Sequence, residues 1–380
     1  MARGPDGQGG GAGFSLADQL FNAETVGDLA REHAILPGFD ADAFQARAVA
    51  GLATRGLLER LDWLADCLTP YLPEDFPAMA DALEAAMPPP LDPALEDDDF
   101  GRFIHALPGI LAVRHGLDDH RDRALDLLHA ATRRFSMEFY IRPFLDRWPD
   151  ATLARLHLWA QDDNYHVRRL VSEGTRPRLP WARAVRLAPD QTLPLLDALY
   201  ADPTRYVTRS VANHLNDLSK TSPDAVLARL GKWREQGQQD TAELGWMTRH
   251  ALRTRVKDGH PGSLRFLGFD PDAPVACSVA LTGPARIGGT LDFRVTLDSA
   301  QALPVVVDYV LETPTPAGAM RRKVFKLKQT RLDAGGTLML TKSHRLKAGA
   351  STFTLLAGAG RLTIQVNGVA RAACDLTLSV

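Results

Sequence analysis

The sequence predicts a multidomain protein: an all-α, HEAT-like repeat solenoid followed by an all-β, immunoglobulin-like sandwich. Three observations carry this. Apolar residues recur every three and four positions from residue 14 to about 270, as in LLERLDWLADCL (57–68) and ALDLLHAATRRF (124–135). A helical motif returns at a constant spacing of 40 residues, in HVRRLVSE (166–173), YVTRSVAN (206–213) and WMTRHALR (246–253); that period is the mark of helix pairs stacking into a solenoid. After Asp270-Pro271 the texture changes to short alternating segments such as TLDFRVTL, PVVVDYVLE and RLTIQV, separated by Gly, Pro, Asp and Ser.

In chain order, the Gly-rich residues 1–13 are expected to be a disordered tail. The helical region, 14–270, is punctuated at LPGFD, LPEDFP, RWPD and TSPD. The Pro-rich acidic run MPPPLDPALEDDD (87–99) reads as an internal linker. PDATLARLHLW (149–159) and PDAVLARLGKW (223–233) echo one another upstream of the repeated motif. Residues 271–380 form the sandwich, whose topology stays open because no Trp lies beyond Trp246 and no Cys–Trp–Cys core is present. GPARIGGT (283–290) lacks the lysine of a phosphate-binding loop and is read as a turn.

Composition narrows the function. With 44 Lys+Arg against 46 Asp+Glu, the formal charge of −2 excludes a uniformly basic nucleic-acid coat but allows a local basic face. No apolar run is long enough for a membrane-spanning helix, and MARGPDGQGGGAG has no secretory h-region. Three cysteines without a CxxC argue against a disulfide framework or a zinc-thiolate site. A cytoplasmic protein without metal or cofactor, monomeric and with no obligate protein partner, is expected. There is no HExxH or GxSxG, and His166 and His214 have no ligand-spaced partner.

The repeat also carries charge. Arg169, Arg209 and Arg249 share one phase of the period, and residues 165–186 hold six Arg, Arg168, Arg176 and Arg178 among them, against one acid, Glu173. Such a track suits spaced phosphates. Pairing of these arginines with acids elsewhere is the alternative. Glu173 shares a helical stripe with Arg169 and Arg176: either a salt bridge or a carboxylate kept ionised in a cationic groove. Glu138 stands four residues before Arg142, a helix-surface pair or a second functional acid. Trp159 ends an amphipathic helix, and Trp181 follows a Pro-rich turn among arginines, where an exposed ring suits stacking. Asp162, Asp163 and Asn164 are candidate caps. Asn213, Asn216 and Lys220 could reach phosphates, as could Lys323 and Lys326 in the basic strands of the sandwich.

SMEFYIRPF (136–144), DDNYHVRRLVSEGTRPRLPW (162–181), YVTRSVANHLNDLSK (206–220), KVFKLK (323–328), LTKSHRLK (340–347) and IQVNG (364–368) resemble the AlkC family of bacterial DNA alkylation-repair proteins. The resemblance spans both parts of the chain. It implies a DNA glycosylase that acts on double-stranded DNA containing N3-alkylated bases, 3-methyladenine and 3-methylcytosine, without flipping the base. It further implies that Glu138 and Glu173 are the catalytic carboxylates, with Asp163 as a third acid, and that Trp181 packs against the lesion. An N3-methylated base is cationic and leaves neutral, so the protein must stabilise an oxocarbenium-like sugar and position water. One departure stands out: YVTRS replaces the family's YVRRS, so Thr208 is expected to lose a phosphate contact. A non-catalytic scaffold or damage sensor is the competing class.

Overall fold

The computed structural model describes residues 15–95, 100–180, 182–348 and 354–380. The tail expected at 1–13 lies outside these residues. The described residues form fifteen α-helices followed by eight strands. The helices are α1 (Leu16–Leu20), α2 (Ala23–His33), α3 (Ala41–Ala50), α4 (Leu57–Leu68), α5 (Phe76–Ala86), α6 (Leu107–Leu111), α7 (Arg121–Thr132), α8 (Ile141–Arg147), α9 (Pro149–Trp159), α10 (Tyr165–Gly174), α11 (Pro189–Leu199), α12 (Arg205–Ser219), α13 (Pro223–Gln236), α14 (Thr241–Lys257) and α15 (Pro261–Phe266). None is long and apolar enough to cross a membrane.

The repeat is real, and its outer helices are legible too. α9 and α11 begin with Pro149 and Pro189, 40 residues apart, in PDATLARL and PDQTLPLL. Proline at the first helical position needs no N–H donor and starts the helix with its dihedral already set. α13 begins the same way at Pro223, six residues short of the period. The inner helices bury the superposed apolar positions: Val167, Val207 and Met247 are each fully buried. Asn164 caps α10, its side chain accepting from the His166 N–H.

The chain packs as two compact units, one of residues 1–217 with 237–247, the other of 218–236 with 248–380. The change of texture at Asp270 therefore marks where strands begin to take over, not where the second unit begins. The reason is visible inside that unit: Leu264 and Phe269 bury themselves with Val306 of the sheet. Nor is the described part of the Pro-rich acidic run, residues 87–95, a free linker. Arg134 Nε donates to the Pro88 carbonyl, the Leu91 N–H to the Arg133 carbonyl and the Tyr165 hydroxyl to the Leu95 carbonyl, so its backbone groups are tied to the helices of the first unit.

The strands are β1 (Ala276–Leu281), β2 (Ala285–Arg286), β3 (Thr290–Ser299), β4 (Leu303–Pro314), β5 (Met320–Leu332), β6 (Gly336–Arg345), β7 (Gly358–Val366) and β8 (Val369–Ser379). They form a three-stranded sheet, β1-β3-β6, and a five-stranded sheet, β2-β8-β7-β4-β5. Every pairing is antiparallel except β2 with β8. Leu291, Phe293, Val295 and Leu297 of β3 alternate into one core with Val305, Val307, Tyr309 and Leu311 of β4. β4 is buried on its other face as well, where Val306 meets Leu264 and Phe269. GPARIGGT runs through the two-residue strand β2 and the turn beyond it.

The tight turn between β7 and β8 fixes this unit. Asn367 and Gly368 both have positive φ, 49° and 76°. The Asn367 side chain accepts from the Val306 N–H at 2.9 Å and donates to the Asp270 carbonyl at 2.8 Å. A Cβ on Gly368 would stand 2.6 Å from Leu264 and 2.7 Å from Gly259, so only glycine fits.

Candidate active site

The first unit brings two of the predicted carboxylates to one guanidinium. Glu138 does not share a helix with Arg142; it lies in the turn before α8. From there its Oε2 accepts from Arg169 at 2.7 Å and from the Ser136 hydroxyl at 2.5 Å. The stripe read from sequence holds, although Arg176 lies just past the end of α10: Glu173 accepts from Arg176 at 2.6 Å, and Arg169 stands 3.9 Å from it. α12 completes the set, with Ser210 Oγ donating to Glu173 Oε2 at 2.6 Å and Asp217 pairing with Arg176 at 2.7 Å. Arg169 also lies over the ring of Tyr206, 4.7 Å from its centre.

Glu173 is only 6% exposed. Burial alone would push its carboxyl up. The charges of Arg169 and Arg176, with hydrogen bonds from Ser210 and Arg176, outweigh burial and hold it below the usual carboxylate range. Burial likewise opposes the charge on Arg169, and the carboxylates of Glu138 and Glu173 more than restore it. Glu173 and Arg169 thus keep their charges despite burial because each has a hydrogen-bonded counter-charge. His214 is fully buried beside it, and its Nδ1 donates to the Ser172 carbonyl at 3.0 Å. Burial drives its pKa down to about 4, so it is neutral at pH 7 and adds no charge.

Arg142 does something the sequence did not suggest. It is fully buried and donates to four backbone carbonyls, those of Gly174, Arg176, Pro177 and Arg183, at 2.6–3.2 Å. Burial lowers its pKa to about 10, still charged at pH 7. The guanidinium thus ties the end of α10, residues 176 and 177 beyond it, and Arg183 to the start of α8. Trp181 lies outside the described residues.

Several expectations need correction. Arg168, Arg169 and Arg176 are not an open cationic track, because each is paired with a carboxylate. Arg168 binds Asp202 at 2.6 Å and also donates to the Asp162 and Asp163 carbonyls. The apparent shortage of acids was an effect of looking along one segment. The partners come from adjoining repeats, as with Arg168–Asp202, Arg169–Glu138 and Arg176–Asp217, and lie 31 to 41 residues away. Thr208, one period after Arg168, is fully buried and donates to Glu243 at 2.5 Å, so this phase faces the next repeat and no phosphate contact is lost there. Trp159 is buried and packs near His129. Asn216 is buried and Asn213 is half-buried. Arg209 is half-buried near Tyr206.

Other candidates are accessible. Asp163 and Arg178 are exposed, as are Lys220, Arg249, Lys323 and Lys326 of the second unit. Asp162, next to Asp163, is engaged by His129 at 2.7 Å and accepts from the Asn164 N–H. No group of His, Cys, Asp or Glu among the described residues could hold a metal ion, and the three cysteines are unpaired. The sequence reading missed Ser210, Asp217 and Arg142. For the first two a signal was present: polar residues 37 and 41 positions beyond Glu173 and Arg176, close to one repeat period.

A search of protein families matches residues 134–254 to a model described as DNA alkylation repair enzyme, and residues 276–380 to the C-terminal Ig-like domain of YhaZ. The uncharacterized protein YhaZ of Bacillus subtilis (strain 168) is 32% identical over 286 residues, 73% of this chain and 78% of YhaZ. Among solved structures, the alkylpurine DNA glycosylase AlkC of Pseudomonas fluorescens, bound to DNA containing an abasic-site analog, matches with a TM-score of 0.83 and 32% identity, over 97% of this chain and all of that one. This chain belongs to the AlkC family. The match to AlkC spans both the helical and the sandwich parts of this chain, and the 134–254 match encloses every residue of the carboxylate cluster.

Proposed function

We propose that this chain is a DNA glycosylase of base excision repair. It hydrolyses the N-glycosidic bond of cationic N3-alkylated bases, 3-methyladenine and 3-methylcytosine, in duplex DNA without flipping the base. Family membership supports the reaction class, since the relative of known structure is an alkylpurine DNA glycosylase bound to DNA. One observation carries the assignment of roles: Glu138 and Glu173 are drawn to a single guanidinium, Arg169. Two carboxylates held around one guanidinium form a fixed patch of negative charge. Placed against the sugar, such a patch stabilises an oxocarbenium-like transition state, and either carboxylate can accept a proton from the attacking water. The base leaves neutral, so no general acid is required. Trp181 is the residue that the family resemblance assigns to pack against the lesion. Asp163 is exposed and outside the cluster, and contributes only through long-range charge. The exposed Arg178, Arg249, Lys323 and Lys326 supply phosphate contacts.

The test is single-turnover excision from duplexes carrying 3-methyladenine, 3-methylcytosine or 7-methylguanine, with wild type and Glu173→Gln side by side. Release of the N3-methylated bases by wild type and its loss in Glu173→Gln with binding retained is the expected result. Binding without release in either form identifies a damage sensor or scaffold and rejects the proposal.

A further inference from the structure

The second unit contains a cavity of about 270 Å³ between α14, the segment after α15, and strands β4 and β5. Arg249, Arg253 and Lys257 line it from successive turns of α14, and Lys326 from β5. Its floor is apolar, made by Phe269 and Val306. In that floor stands one acid, Asp308, two residues after Val306 and so on the same face of β4. Asp308 is 4% exposed, and it sits at the register shift of β4 opposite Lys326. Its neighbour on β7 is the uncharged Gln365. The charged groups lining the cavity around it are thus four cations, and Asp308 is the only acid among the described lining residues.

Three of those cations, Arg249, Lys257 and Lys326, make no ion pair with a described residue; Lys326 donates only to Gln329, at 3.3 Å. This sets the cavity apart from the carboxylate cluster, where each of the buried guanidinium groups has an acid. Unpaired cations in a concavity with apolar walls focus a positive field outward. An occupant must bring negative charge and acceptor oxygens. We propose that this cavity is a phosphate site, that a phosphodiester of the DNA backbone occupies it, and that Asp308 controls the occupancy through its protonation state. The choice of DNA as the source rests on the glycosylase reading above. Ionised, Asp308 repels the phosphate; protonated, its O–H can donate to a phosphate oxygen. Burial pushes this carboxyl up to about 6, with Lys326 and Lys257 opposing the rise. Affinity at the site should therefore fall as pH rises through that value.

The experiment uses the full chain and two probes, inorganic phosphate and an undamaged 15-base-pair duplex, at pH 5.5 and 7.5. The variants are Asp308→Asn and the double variant Lys257→Ala with Lys326→Ala, each checked for fold by circular dichroism. In wild type, phosphate should shift NMR resonances around the cavity, more strongly at pH 5.5. The double variant should lose that response, weaken duplex binding roughly eightfold at 0.1 M salt and lower the salt slope by about one. Asp308→Asn should bind the duplex at pH 7.5 as tightly as wild type does at pH 5.5, and with the same affinity at both pH values. Phosphate binding lost in the double variant with duplex affinity unchanged rejects DNA as the occupant. No phosphate response in wild type, or an unaltered pH dependence in Asp308→Asn, overturns the site itself. Failure of wild type to bind any duplex or release any base overturns the glycosylase reading, while the phosphate measurement still reports on the cavity.

Discussion

Glu173 in the helical unit and Asp308 in the sandwich unit are both buried carboxylates with cations nearby, yet their affinities for a proton move in opposite directions. Glu173 is held below the carboxylate range and Asp308 is raised to about 6. Both lose water on burial. Glu173 replaces that water with directed donors, Arg176 at 2.6 Å and Ser210 at 2.6 Å. Asp308 has Lys326 and Lys257 near it only as charges. The difference teaches that a cation in the neighbourhood does not keep a buried acid ionised; a hydrogen-bonded one does. In a glycosylase the first arrangement suits an acid that must stay negative through the reaction. The second suits one whose charge responds to conditions.

The comparison breaks most visibly if the donors are removed. Arg176→Met leaves Asp217 without its guanidinium and Glu173 without its hydrogen-bonded one, with Arg169 only at 3.9 Å, and should destabilise the protein by about 3–5 kcal/mol, because buried charge loses its directed partner. A fall below about 1 kcal/mol in urea titration would mean that Glu173 is stabilised by something other than its donors. Glu173→Gln keeps the shape and removes the charge. Single-turnover excision should drop 10²-fold or more, equivalent to about 2.7–4 kcal/mol in the transition state, while undamaged duplex binds as tightly or more tightly. A joint loss of binding and excision would assign Glu173 to structure alone.

pH separates the two acids directly. The lowered pKa of Glu173 stabilises the fold above the ordinary carboxylate value, and that contribution is lost as pH falls through the lower folded value. For Asp308 the sign reverses: the folded state holds the proton more tightly, so its contribution is present below the ordinary value of 3.8 and is lost as pH rises to about 6. Asp308→Asn should thus stabilise the protein at pH 7.5 by about 1–3 kcal/mol and leave it little changed at pH 3.5, measured by chemical denaturation. The smallest effect belongs to an ion pair with neither burial nor enclosure. Arg361 and Asp375 meet across β7 and β8 at 2.8 Å with both side chains more than half exposed. Arg361→Ala should change stability by less than about 0.5 kcal/mol; a larger change would show that burial is not what separates the strong pairs from the weak.

The sequence by itself determined the order of the two fold classes, the 40-residue repeat, the Asn164 cap and the Arg169–Glu173–Arg176 stripe. All of these depend on residues within one or two turns of each other, or on a periodicity that survives translation along the chain. It did not determine what the arginines were for. Counting charge between residues 165 and 186 suggested a free basic track, because the acids that neutralise it, Glu138, Asp202 and Asp217, lie outside that window. Stacking of repeats brings residues some 30 to 40 positions apart into contact, and it turned three expected phosphate ligands into buried ion pairs. The same holds for Glu138, which left Arg142 for Arg169 because the chain at 136–140 is a turn and not a helix. Arg142 was freed to bind carbonyls. Asp308 was invisible for the opposite reason: nothing in PVVVDYVLE shows that β4 would be covered on its second face. Only the packing of Leu264 and Phe269 against Val306 decided that an acid two residues on would be buried without a donor, since burial is a property of both surfaces that meet and a strand's sequence describes only one of them.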